Sequence, residues 1–180
     1  MVLGMVRLAC TAGGVWVGWR NVTREAALRD NAAIDAHSPA MSLDYSPLGD
    51  AIRQLEKALA YAHSDLALRG PGLREQLRNS VIQCFEFTYE LSWKMLKRHL
   101  EATSASPADL DQAHFQDLIR DGNVRGLLRS DWSRWKTYRQ ARNDSSHTYN
   151  QAKAEMVFAL APDFLTEAQA LYQALTSHAA

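Results

Sequence analysis

The chain has 180 residues, of which 47% are hydrophobic, so it can bury the core of one domain. Its 20 basic and 20 acidic residues balance, which excludes nucleic-acid binding through overall charge and leaves only a local patch for such contacts. The two cysteines have no metal-ligand spacing, which favours a reduced cytoplasmic protein over a disulfide framework. No apolar run approaches the roughly 20 residues of a membrane helix.

The first forty residues differ from the rest of the chain. Residues 1–19 are apolar but interrupted by Gly4, Gly13, Gly14 and Gly18, and a clean amphipathic pattern starts only after Met41. We expect residues 1–40 to be a poorly ordered extension, or Met41 to be the native start. The alternatives are an ordinary extra helix and a secretory signal, which the glycines disfavour. Residues 41–180 would then form the folded domain.

From Ser46 onward every segment has helical periodicity. Ser46-Pro47 predicts the start of a first helix, which we expect to continue to Gly70-Pro71-Gly72. A second helix is predicted over about residues 73–102. We expect protein to surround it almost completely, because four aromatic residues widen its apolar stripe: Phe85, Phe87, Tyr89 and Trp93.

Three more helices are predicted in the second half. Ser106-Pro107 opens the third, which ends near Gly122, and Ser130-Asp131 caps the fourth. The last begins near Gln151, with a kink or restart at Pro162 because proline removes an intrahelical hydrogen bond. No strand-like alternation occurs, so the sequence predicts an all-α, up-and-down bundle of about five helices.

The segment Arg142–Tyr149 carries the residues with the clearest chemical potential. Arg142 has the planar donor fork that holds phosphates, and His147 can transfer protons near neutral pH. The structural alternative is a simple helix junction, because the intervening Asn143, Asp144, Ser145 and Ser146 are all capping residues. On an ideal helix, Arg142 and His147 lie about 140° apart. They would meet only through a backbone break at 143–146, or across a symmetric dimer.

A basic run precedes this segment. Seven basic residues stand against two acidic ones between Arg120 and Arg142. Arg134, Lys136 and Arg139 are therefore candidate RNA contacts, with a solvated helix face as an equal alternative. The interleaved aromatic residues could stack on bases, but their helical spacing favours a place in the core: Trp132, Trp135 and Tyr138.

Charged residues also recur at four-residue steps in the second helix. Glu86, Glu90 and Lys94 share one face, in the order that supports a helix. This periodicity favours a solvent-exposed stripe. The functional alternative is an acidic face that meets a basic partner or Arg142.

Two segments together resemble a known family. They are residues 85–94 (Phe-Glu-Phe-Thr-Tyr-Glu-Leu-Ser-Trp-Lys) and residues 142–149 (Arg-Asn-Asp-Ser-Ser-His-Thr-Tyr). The pair is similar to the nucleotidyltransferase substrate-binding protein family of the HEPN superfamily (higher eukaryote and prokaryote nucleotide-binding), over about Leu48 to Leu175. The second segment matches the Arg-x4-His-x-Tyr signature of HEPN toxins. The resemblance implies a helical bundle that forms a homodimer with the motif near its two-fold axis.

The resemblance also implies a role for each motif residue. Arg142 would stabilise charge on the scissile phosphate of an RNA substrate, and His147 would act as general acid or base while a ribose 2′-hydroxyl attacks. Asn143, Asp144 and Ser146 would support this metal-independent endoribonuclease site, and no cofactor is expected. A minimal nucleotidyltransferase (MNT) antitoxin would be the partner, and AMP on Tyr149 would silence the site. The alternative is a non-catalytic substrate-binding subunit.

Overall fold

The computed structural model describes residues 43–106, 110, 113–145 and 150–177. These residues form five α-helices and one short 3₁₀ helix, without a β-strand. The α-helices are α1 (Ser46–Ala62), α2 (Pro71–Thr103), α3 (Phe115–Val124), α4 (Trp132–Ser145) and α5 (Gln151–Ser177). The predicted all-α architecture is therefore confirmed. The predictions for residues 1–40 fall outside the described residues.

The first helix is shorter than the sequence predicts. α1 ends at Ala62, and a 3₁₀ helix follows at Asp65–Arg69. The side chains after the last turn also contact its carbonyl oxygens: His63 Nδ1 lies 2.8 Å from the oxygen of Leu59, and Ser64 Oγ donates to the oxygen of Tyr61 at 2.7 Å. These bonds satisfy groups that a continuing helix would otherwise use. α2 then begins at Pro71, inside the expected linker.

Aromatic rings from three helices meet in the core. The ring of Phe164 on α5 lies 5.1 Å from Phe85 of α2 and 5.0 Å from Tyr138 of α4, both in edge-to-face geometry. Trp135 and Tyr138 are fully buried, which confirms their predicted place in the core. Phe87, however, is 69% exposed. It points away from the core because residues two positions from Phe85 and Tyr89 lie on the other side of a helix.

A buried carboxylate fixes the connection into α4. Glu167 of α5 is fully buried, and its Oε1 accepts hydrogen bonds from the backbone of Arg129 and Ser130 and from Trp135 Nε1, at 3.1–3.3 Å. Asp131 accepts from the backbone N–H of Arg134 at 3.2 Å, as an N-cap residue does. The start of α4 is therefore set by contacts from both its own cap and α5.

Two further helix features concern α3 and α5. The predicted helix start at Ser106-Pro107 adjoins residues outside the described ones and stays a prediction, while α3 covers Phe115–Val124. It closes at Gly126, whose φ of 72° suits the left-handed position after a helix, which glycine adopts without strain. α5 runs through Pro162 without the predicted restart, and the buried Ala161 and Phe164 on either side anchor it to the core.

Candidate active site

Arg142 lies in the last turn of α4 and faces two carboxylates of α2. Its Nη1 is 3.6 Å from Glu86 Oε1, and its Nε is 3.4 Å from Glu90 Oε1. The four-residue spacing of Glu86 and Glu90 puts both acids on the side of α2 that meets α4. The favoured interpretation of these two residues as a solvent stripe is therefore wrong. Lys94 alone fits it, since it is exposed and pairs with Glu90 at 3.4 Å.

Ser145, the last residue of α4, also belongs to this charged cluster. Its hydroxyl contacts the carboxylate of Glu86 and lies 2.7 Å from the carbonyl oxygen of Arg142. Ser145 is buried, and the contact links the end of α4 to α2. α4 extends through Asn143, Asp144 and Ser145, so a backbone break that would bring Arg142 and His147 together does not lie at these three residues.

A cavity of about 430 Å³ opens beside Arg142. Its lining combines aromatic rings with three cations and one acid: Tyr89, Trp93 and Phe115, with Lys97, Arg139, Arg142 and Glu90. Asn143 also lines the cavity. Burial raises the pKa of Tyr89 above its usual value, so its hydroxyl stays protonated at neutral pH. The surface next to Arg142 is thus both positive and aromatic.

The basic candidates separate onto different surfaces. Arg139, one turn before Arg142, lines the cavity, and its guanidinium lies 4.9 Å from the centre of the Phe115 ring. Arg134 instead pairs with Asp163 of α5 at 2.6 Å. Lys136 is exposed on α4. Of the three candidate RNA contacts, the structure therefore brings only Arg139 into the cavity with Arg142.

The predicted supporting residues also separate. Asn143 lines the cavity, whereas Asp144 accepts from Lys153 Nζ at 2.7 Å and from Gln140 Nε2 at 3.0 Å. Asp144 thus ties α4 to α5. Ser146, His147 and Tyr149 lie outside the described residues, so their predicted roles remain predictions.

Several residues at this site were not singled out as site residues from the sequence. Glu86 and Glu90 carried the right spacing, but only the packing of α2 against α4 shows what they face. Phe115, the first residue of α3, had no detectable signal in the sequence. Ser145 stood within the motif but was weighed only as a capping residue.

No helix of the described residues is long and apolar enough to cross a membrane. Within the same part of the chain, no group of three or more His, Cys, Asp or Glu side chains is arranged to hold a metal ion.

The fold is a helical bundle in which Arg142, at the end of α4, pairs with two acids of α2. Sequence similarity identifies the class of protein to which this bundle belongs. Residues 43–177 match the family described as "Nucleotidyltransferase substrate binding protein like". The chain belongs to this family, as its two sequence segments indicated.

A named protein and a solved structure, both from Haemophilus influenzae, are similar to this chain. One, named "Probable ribonuclease HepT", is 42% identical over 103 residues, which cover 57% of this chain and 70% of that protein. The other is a solved structure described as the fold of a substrate binding domain of a nucleotidyltransferase. It has a TM-score of 0.70 and 35% identity, and the match covers 74% of this chain and 99% of the solved one.

Proposed function

We propose that this protein is an RNA-cleaving HEPN toxin whose site contains Arg142 and His147. The observation that carries the proposal is the position of Arg142, at the rim of a positive and aromatic cavity. The name of the similar ribonuclease supports the same reaction class. Arginine suits this role because its donor fork matches the oxygens of a phosphate that gains charge during cleavage.

The proposed reaction is a transfer within the RNA strand. The ribose 2′-oxygen bonds to the neighbouring phosphorus while the bond from phosphorus to the 5′-oxygen breaks. His147 takes the 2′-proton or gives a proton to the departing 5′-oxygen. Arg142 balances the extra negative charge on the phosphate. The products are a 2′,3′-cyclic phosphate and a 5′-hydroxyl end, and cleavage should persist in EDTA because no step uses a metal.

Glu86 and Glu90 are assigned a positioning role within this proposal. A long arginine side chain loses rotamer freedom when it is held in one geometry, and two carboxylates at 3.6 and 3.4 Å supply that restraint before RNA arrives. The same acids offset part of the charge of Arg142. Because the charge of Arg142 is shared between two carboxylates and is not neutralised by one close ion pair, its guanidinium can still bind phosphate.

Regulation by a minimal nucleotidyltransferase antitoxin is part of the proposal. The family name associates the chain with a nucleotidyltransferase. Transfer of AMP to Tyr149 would add a nucleotide two residues from His147, where its bulk and charge would oppose RNA. Mass spectrometry of the chain co-expressed with the transferase should find AMP on Tyr149. A co-expressed, neutralised protein without that adduct would contradict this mode of control.

A homodimer is the proposed assembly, with the two motifs near one cleft. Exposed Phe87, next to Glu86 on α2, gives this face an apolar residue that a second copy would cover. Sedimentation at several concentrations should give twice the mass of the chain. A monomer at all concentrations would contradict the assembly.

The second candidate function is a non-catalytic subunit that presents a substrate to a nucleotidyltransferase. The solved relative described as a substrate binding domain favours it. Expression of the full chain separates the two functions, because a toxin should arrest growth in a manner that Arg142→Ala and His147→Ala abolish. A substrate-binding subunit should bind the transferase tightly, leave RNA intact and cause no arrest.

A further inference from the structure

We propose that the cavity beside Arg142 is a subsite for one nucleobase and its adjoining phosphate. This inference deepens the proposed function, on which it rests, by naming what the site recognises next to the scissile bond. The cavity, of about 430 Å³, lies within the range of small-ligand sites, roughly 300–1,000 Å³. It therefore has room for a base together with part of its backbone.

The phosphate would bind at the basic end of the cavity. Arg139 and Arg142 stand one turn apart on α4, and Lys97 of α2 lines the same space. The Nε atom of Arg142 is buried and makes no hydrogen bond within the described chain. Its contact with Glu90 Oε1, at 3.4 Å, is an ion pair without hydrogen-bond geometry. The Arg142 side chain as a whole is 32% exposed, so the rest of its donor fork can bind a phosphate oxygen in the cavity.

The base would bind at the aromatic end. Phe115 and Trp93 are half-buried, and their rings meet edge to face with centres 6.1 Å apart. Each ring contributes to the lining of the cavity. Aromatic faces and arginine planes are the surfaces on which single-stranded bases stack. Arg139 already occupies such a position, 4.9 Å from the centre of Phe115, and it can cover a base in the same way.

Polar groups of the same lining can meet the edge of a base. Asn143 contributes an amide and Glu90 a carboxylate to the lining. Glu90 already accepts from Trp93 Nε1 at 3.2 Å, which fixes the carboxylate and the indole relative to each other. A purely apolar ligand would make no use of the cationic side chains in the lining. A nucleobase joined to a phosphate can use both the aromatic and the cationic groups of the cavity.

The test uses the full chain and a fluorescent single-stranded RNA made uncleavable by 2′-O-methyl groups. Phe115→Leu keeps an apolar side chain but removes the ring, and it should weaken binding about tenfold, as loss of one stacked base does. Tyr61→Leu is the matched control, because Tyr61 is an exposed aromatic residue of α1 outside the cavity. It should bind RNA like the unmodified chain. Equal affinity of both variants would overturn the subsite.

A second matched pair tests the basic end. Lys97→Ala removes a charge that lines the cavity, whereas Lys94→Ala removes one three residues away that does not. Both lysines pair with a glutamate at four-residue spacing, at 3.2 and 3.4 Å. Lys97→Ala should weaken RNA binding severalfold more than Lys94→Ala. Equal losses would show that only general charge matters, which contradicts a defined subsite.

Photochemical crosslinking keeps the inference testable if Phe115→Leu disturbs folding. RNA that contains 5-iodouridine should crosslink to Trp93 or Phe115 in the unmodified chain, and crosslinks only elsewhere would overturn the proposal. AMP is the second probe: competition by AMP that depends on Phe115 assigns the subsite to free nucleotides, and its absence assigns it to the RNA strand. Cleavage that requires Arg142 but not Phe115 would refute the subsite alone. Cleavage that is independent of Arg142 would refute the proposed function.

Discussion

Replacement of Glu90 by glutamine should slow RNA cleavage because it loosens Arg142. The Nε of Arg142 lies 3.4 Å from Glu90 Oε1, and the two side chains are 32% and 34% exposed. The Coulomb energy at this distance is roughly 5 kcal/mol at an effective dielectric constant of about 20. Partial exposure and side-chain entropy reduce the net value to about 1 kcal/mol. A loss of about 1 kcal/mol in positioning predicts a kcat about fivefold lower.

The same substitution should lower KM. The carboxylate of Glu90 repels the phosphate that Arg142 attracts, and for two charges roughly 7 Å apart in water this repulsion is about 0.6 kcal/mol. Removal of this repulsion predicts a KM about two- to threefold lower. Opposite effects on binding and turnover separate a positioning residue from one that only maintains the fold.

Initial rates on a fluorogenic RNA over a range of concentrations measure both constants. Glu75→Gln is the matched control, because it removes the same charge from an exposed position of α2. Fifteen residues of helix separate Glu75 from Glu90, about 22 Å, which exceeds the screening length of about 8 Å in physiological salt. If Glu90→Gln left kcat unchanged, or if Glu75→Gln matched its effects, the reasoning would be refuted.

Three further substitutions test the packing that supports the site. Glu167→Ala removes the acceptor of three hydrogen bonds and should lower the free energy of unfolding by about 3 kcal/mol, at roughly 1 kcal/mol each; a loss near zero in urea titrations would contradict this. Burial acts to raise the pKa of Asp163, but hydrogen bonds from Tyr138 and Arg134 outweigh it and hold the pKa below its usual value. The resulting stabilisation is complete above the unfolded-state pKa of about 3.9 and disappears as pH falls through the lower folded-state pKa. Asp163→Asn should therefore lower Tm at pH 7. A Tm of the variant that stays below that of the unmodified chain at pH values under both pKa values would contradict this origin. Gly49→Val should lower Tm, at a cost of about 2 kcal/mol, because a Cβ atom there would already lie 3.0 Å from the ring of Tyr172. Gly72→Val has open space and serves as its control, and equal shifts would argue against the steric explanation.

Local sequence signals predicted the helices well where they acted within one element. Ser130-Asp131 marked the start of α4, and Asp131 indeed caps it. The spacing of Trp135 and Tyr138 predicted burial, which the core confirms. These predictions succeeded because capping bonds and apolar periodicity depend on neighbours a few residues away.

Predictions failed where distant contacts decide the outcome. The sequence predicted a kink or a restart of the helix at Pro162, and the restart does not occur because core packing on both sides offsets a lost backbone bond. Glu86 and Glu90 resemble a solvent stripe in isolation, yet α4 covers them with Arg142. Periodicity defines a face of a helix but not the element that meets it, so the acidic side of the site emerged only from the fold.

Cleavage of RNA by the purified full chain tests the central claim most directly. Arg142→Ala and His147→Ala should each lower the rate at least about a hundredfold, as loss of a phosphate-stabilising or proton-transferring group does. Arg120→Ala, which removes an exposed arginine of α3, should cleave like the unmodified chain and yield the same 2′,3′-cyclic phosphate ends. Full cleavage by both site variants would contradict the assignment of Arg142 and His147 as the catalytic residues.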